Sequence, residues 1–235
     1  MMRRLQNGFS LVEMAVVLVI VGFMVGGLLT PLSMQLEQRK AGETRKALDE
    51  AREALLGFAL RNGYLPCPAV SAANGLEDRN GENCNGGKRA GFLPWVTLGL
   101  PQLDSWGHIF RYSVTPAFAN SRVPFTLATR RDITIGTRDP AGNLIGATAV
   151  NDIPAVILSH GKNGFGGVSE AGVRAGALAG SNQDERTNAG TAGIAFVTRY
   201  ATDNPQAPGG EFDDMLSWVS PNILYNRMVA AQKLP

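Results

Sequence analysis

Residues 3–14 read RRLQNGFSLVEM, and the chain continues as AVVLVIVGFMVGGLL. The side chain in this stretch that can do chemistry is Glu13, four positions after Phe9, in a run with no other charge before Glu37. At the centre of a membrane helix a carboxylate costs roughly 2.5–3.5 kcal/mol on insertion scales. Nearer a helix end the cost falls, because the side chain reaches the interface. Glu13 is read either as a tolerated interfacial residue or as an intramembrane group that needs a cationic partner. No Lys or Arg lies between Arg4 and Arg39. The partner must then come from another chain or from a new chain terminus.

Hydrolytic chemistry finds little support elsewhere. Ser159 and His160 are adjacent, so on a strand they point to opposite faces, and His108 lies far away along the chain. There is no G-x-S-x-G elbow, no H-E-x-x-H pair and no Walker sequence; GKNGFGG has the wrong order for a phosphate loop. The chain is therefore read as not an enzyme. Cys67 and Cys84 bound a turn-rich loop of Gly and Asn. In an exported domain such a pair reads as a disulfide, which stabilises by about 3 kcal/mol. Free thiols or a metal site are the alternatives, and two Cys with no His nearby are too few ligands for zinc.

These groups need elements to hold them. From Phe9 to Leu29 there are 21 residues, with Ser10 and Glu13 the strongly polar ones. As a helix they span about 31 Å, the thickness of a hydrocarbon core. Arg3 and Arg4 precede the run, which predicts a cytoplasmic N-terminus and an exported remainder. GGLLTPLSM offers no good signal-peptidase site, so the anchor is expected to stay. Pro31 is expected to kink the helix or melt a short segment. Beyond it, Ala41, Thr44, Leu48, Ala51, Leu55 and Phe58 recur in steps of three and four, one buried stripe of a helix running to about Arg61. Arg39–Glu43, Arg45–Asp49 and Lys46–Glu50 are the i,i+4 pairs on its other faces. With a net charge of +2 and no basic block, nothing in the sequence argues for a nucleic-acid partner.

NGFSLVEMAVVLVIVGFMVGGLL resembles the leader and first helix of type IV pilins and type II secretion pseudopilins. The resemblance covers about 30 residues. It implies a cytoplasmic leader, residues 1–8, cut between Gly8 and Phe9 by a prepilin peptidase that also methylates the new Phe9 amine. The same family places a Glu at the fifth mature position, here Glu13. It implies assembly with other pilin or pseudopilin subunits on an inner-membrane platform. The cut would give Phe9 an α-amine, and Glu13 of one subunit could meet that amine on its neighbour. Such a head-to-tail contact generates an open helical filament, and the pairing offsets the burial of both charges.

Residues 64–235 are expected to form the head. Strands are predicted in IFRYSV, VPFTLAT (123–129), DITIG (132–136), PAVILSH (154–160) and IAFVTRY (194–200). The Gly/Ala/Asn-rich stretch between the last two reads as a mobile surface loop. DSWGHIFRY resembles the D-x-W-G turn and strand of major pseudopilins, with Asp104 capping the turn and Trp106 packing. VILSHGKNGFGG and FDDMLSW resemble further parts of that group. In some of its members an acidic loop binds calcium; carried over, Asp203, Asp213 and Asp214 would supply the oxygens, and a capped turn is the alternative. Ser220–Pro221 is a helix start, followed by Ile223, Leu224, Met228 and Val229 on one face.

The expectation is an α+β, pilin-like lollipop: a transmembrane assembly helix over 9–30, an amphipathic stem over 31–63, and a periplasmic antiparallel-sheet head with Gly-rich loops. Its length and insertions favour a minor subunit of a pilus or secretion pseudopilus. The alternative is a signal-anchored periplasmic binding domain or hydrolase that does not polymerise.

Overall fold

The computed structural model describes residues 10–176 and 182–234, with the backbone alone described over residues 25–31. The leader, Gly8 and Phe9 lie outside the described residues. In chain order the elements are α1 (Leu11–Asn62), β1 (Arg79–Asn80), β2 (Asn83–Cys84), β3 (Ala90–Phe92), α2 (Trp95–Leu98), β4 (Arg111–Val114), β5 (Thr134–Arg138), β6 (Leu144–Gly146), β7 (Ala155–Ser159), α3 (Gln183–Asn188), β8 (Ala195–Val197), β9 (Met215–Val219) and α4 (Pro221–Ala230). The chain divides into two compact units, Met1–Gly42 and Glu43–Pro235.

In the first unit α1 starts at Leu11 and runs through Pro31 without a break. The melted segment expected there does not form. The proline removes a single ladder hydrogen bond, and the helix continues on both sides of it. Leu11, Val12, Leu18, Phe23 and Met24 are exposed on this unit. Among the described residues no helix is long and apolar enough to cross a membrane. The expected span of residues 9–29 reaches outside the fully described residues at both ends.

In the second unit the predicted stripe of α1 is buried: Thr44, Leu48, Ala51, Leu55 and Phe58, joined by Leu56 and Ala59. Gly63 ends the helix at φ +83, where its N–H reaches the Ala59 carbonyl at 2.7 Å; glycine takes this left-handed cap at no steric cost. Lys46 and Glu50 lie 3.8 Å apart as expected, whereas Asp49 pairs with Arg52 at 3.1 Å in place of Arg45.

A four-stranded antiparallel sheet, β3-β4-β7-β9, carries the fold. Tyr112, Val114, Ala155, Ile157 and Val219 belong to one core with Leu48, Leu55 and Leu56 of α1 and Leu224 and Met228 of α4. Val156 belongs to a second core with Ile133, Ile135, Ile153 and Phe196. β7 is therefore covered on both faces and buried at every position. That is why AVILS reads as a continuous apolar run rather than an alternation. The second core takes Ile135 and Phe196 from the sheet β6-β5-β8, in which β5 and β8 run parallel. The head is thus not wholly antiparallel.

Several boundaries differ from expectation. Residues 123–129 form no strand: Phe125 turns inward to stack on Phe118 at 4.8 Å, while Val123 and Leu127 stay exposed. β8 is confined to Ala195–Val197. The stretch read as a mobile loop contains α3, whose Asp184, Glu185 and Asn188 are buried. Asp184 receives Arg138 at 2.7 and 2.8 Å and Arg199 at 2.8 Å, which ties α3 to the second sheet. Of the α4 face, Leu224 and Met228 are buried and Ile223 and Val229 are exposed. Arg227 of α4 reaches Glu53 of α1 at 2.6 Å.

Cys67 and Cys84 form a disulfide. It joins the segment leaving α1 to β2, and Glu77 braces it by accepting the Cys67 N–H at 3.0 Å and the Arg79 guanidinium.

Candidate functional site

Ser10 is the first described residue and Glu13 stands in the first turn of α1. The Ser10 N–H donates to Glu13 Oε2 at 2.7 Å, and the Glu13 N–H donates to Ser10 Oγ at 3.2 Å. This reciprocal pair is a capping box: two orphan donors of a helix start are satisfied by side chains three residues apart. The Ser-x-x-Glu pattern is legible in the sequence. It gives Glu13 a local role beside any role between chains, and it uses only groups on the mature side of the expected cut.

A second polar centre lies in the head. Asp104 is buried and caps its turn, accepting the N–H groups of Trp106 and His108 at 2.9 Å each and the Ser159 hydroxyl at 2.6 Å. Burial works to raise the Asp104 carboxyl, but the bonds from His108 and Ser159 prevail and hold it below the usual carboxylate range. The His108 ring stands 3.8 Å from Asp104, an electrostatic contact longer than a hydrogen bond. Asp104 nonetheless lifts the imidazole pKa above its ordinary value. Trp106 is half-buried, and the buried tryptophan nearby is Trp95.

Ser159 and His160 diverge as expected for adjacent strand residues. Ser159 faces Asp104, and His160 Nδ1 lies 3.3 Å from Asp214 Oδ1. Past His160, the turn places Asn163 so that its N–H donates to Asp213 Oδ2 at 2.7 Å and its amide donates to Glu185 Oε1 at 2.9 Å. Glu185, Asp213 and Asp214 bring ligand-capable oxygens within 4.8 Å of one another. Asp203 does not join them; it stays exposed after Thr202. The third acid comes instead from α3. Asn182-x-x-Glu185 is a helix-start signature that could have flagged it.

The electrostatics of this group are uneven. Burial, then the Glu185 and Asp214 charges, push the Asp213 carboxyl up to about 7. Burial also raises Glu185, against the bond from Asn163. Asp213 Oδ1 is buried with no hydrogen-bond partner among the described residues, and Asp214 Oδ1 is buried with the His160 ring 3.3 Å away. An unpartnered carboxylate oxygen on Asp213, beside two further carboxylates, suits a hard divalent cation with oxygen ligands. A proton on Asp213 answers the same repulsion.

Residues 3–29 match the family model of the prokaryotic N-terminal methylation motif. No match was found among curated proteins or solved structures. The motif covers both expected processing residues, Gly8 and Phe9, together with the Ser10–Glu13 box. The chain carries the N-terminal methylation signature of type IV pilins and pseudopilins.

Proposed function

We propose that the chain is a structural subunit of a type IV pilus or a type II secretion pseudopilus, in a minor position. The observation that carries this reading is the methylation motif over residues 3–29. In this reading a prepilin peptidase cuts between Gly8 and Phe9 and methylates the Phe9 amine. The apolar start of α1 holds the chain in the inner membrane as a single pass, with the head in the periplasm, until the assembly platform recruits it. Glu13 then pairs with the Phe9 amine of a neighbouring subunit. The exposed apolar residues from Leu11 to Met24 support a surface meant for lipid or for sister helices. The reading assigns no catalysis to the head.

Glu185, Asp213 and Asp214 are proposed to take a divalent cation such as calcium. It would neutralise the acids and join the turn after β7 to α3 and the entry to β9.

Co-expression with a prepilin peptidase tests the function. Intact mass should fall by the eight leader residues and rise by one methyl group. Replacing Gly8 with Leu should leave the precursor uncut in the membrane. A wild-type chain that keeps its leader under these conditions overturns the reading.

A further inference from the structure

A cavity of about 180 Å³ opens on the face of β3 and β4 opposite α1. Its walls include Phe92, Ile109 and Val168, and its polar groups include Arg111, Arg174 and His160. Among the described residues, none that lines it is acidic. The cavity is smaller than the roughly 300–1,000 Å³ of sites for drug-sized ligands, so it suits one small group.

The two arginines differ usefully. Arg111 is fixed: Nη1 donates to the Ala189 carbonyl at 3.0 Å and Nη2 to the Gly190 carbonyl. Each terminal nitrogen keeps a second N–H, and Nε is buried without a partner. Arg174 is exposed and belongs to a different segment, bridged to Val168. Burial, then the Arg174 charge, pull the Arg111 pKa down to about 10, against the attraction of Asp214. Asp214 itself is engaged behind the cavity, by His160 at 3.3 Å and by the Asn188 amide at 2.8 Å. Two guanidiniums thus share a mostly apolar cavity with no acid in its lining.

We propose that this cavity binds a carboxylate carried on a short apolar stem, with Arg111 and Arg174 meeting the oxygens and Phe92, Ile109 and Val168 packing the stem. Guanidinium forks match carboxylate geometry. A phosphate would press further charged oxygens against the three apolar walls, where they would go unpaired. The carboxylate can belong to a free acid or to the C-terminus of a peptide.

The test is isothermal titration of the full chain in nonionic detergent. Butyrate should bind saturably, and butyramide, its neutral isostere, should not. Arg174→Gln should weaken butyrate at least tenfold, the loss of one charge-assisted contact, with an unchanged unfolding midpoint. A hexapeptide ending in Leu identifies the source: tighter binding than butyrate, abolished by C-terminal amidation, assigns a chain terminus, and binding no tighter assigns a free acid. The proposal is overturned if neither butyrate nor the peptide saturates, if butyramide binds equally, or if Arg174→Gln leaves the affinity unchanged.

Discussion

Ser10 and Glu13 hold one another at the start of α1, through bonds of 2.7 and 3.2 Å from each backbone N–H to the other side chain. Glu13 Oε2 is therefore engaged within its own chain. Oε1 takes no part in the box, so one carboxylate can cap the helix and still meet a neighbouring amine.

This separates two roles by substitution. Gln can complete a capping box but carries no charge. If charge pairing drives assembly, Glu13→Gln and Glu13→Ala should both enter the membrane yet fail to join mixed filaments. Normal incorporation of Glu13→Gln, scored by immunoblot of sheared filaments, would assign the residue to capping alone. Ser10→Ala should cost about 1 kcal/mol at the helix start, read as roughly fivefold faster hydrogen exchange of the first-turn amides.

The acids of the head predict a falling stability with pH. Asp213 has a folded pKa of about 7 against an ordinary value of 3.8, so between these values the folded state holds the extra proton. Stability should then decline from about pH 4 to pH 7 in chelator-treated buffer. Glu185 shifts in the same direction. Calcium should restore the midpoint at pH 7 and flatten the profile. Asp213→Asn should flatten it without calcium; a profile unmoved by either change refutes the cluster as the source.

His108 adds a separate window. Its pKa is raised above 6.5 by Asp104, so its stabilising contribution is complete below pH 6.5 and is lost as pH rises through the folded value. His108→Gln should lower the unfolding midpoint at pH 6 more than at pH 9. An equal loss at both would mean the ring acts by packing only.

The Cys67–Cys84 bridge spans a sequence separation of 17 residues. Replacing both cysteines by Ala should lower the unfolding free energy by about 3 kcal/mol in denaturant titration. Native wild-type protein should take up no alkylating reagent before reduction.

Residues close in sequence were readable in advance. The methylation motif lies within residues 3–29, and the stripe from Thr44 to Phe58 repeats with the helical period. The disulfide followed from two cysteines around a glycine-rich loop, and α4 from Ser220–Pro221. In each case neighbouring residues, or a loop of modest length, constrain one another. Where the sequence reading failed, the deciding contact was distant. Phe125 looked like a strand residue until Phe118 was seen beneath it.

The sequence by itself determined the processing signature, the capping pattern and the buried face of α1, because those depend on local spacing along one segment. Only the tertiary structure decided that β7 is covered on both faces, that Glu185 and not Asp203 joins Asp213 and Asp214, and that Arg111 and Arg174 share a cavity. Those pairings depend on which strands cross and in what register, and long-range packing sets that where no local period records it.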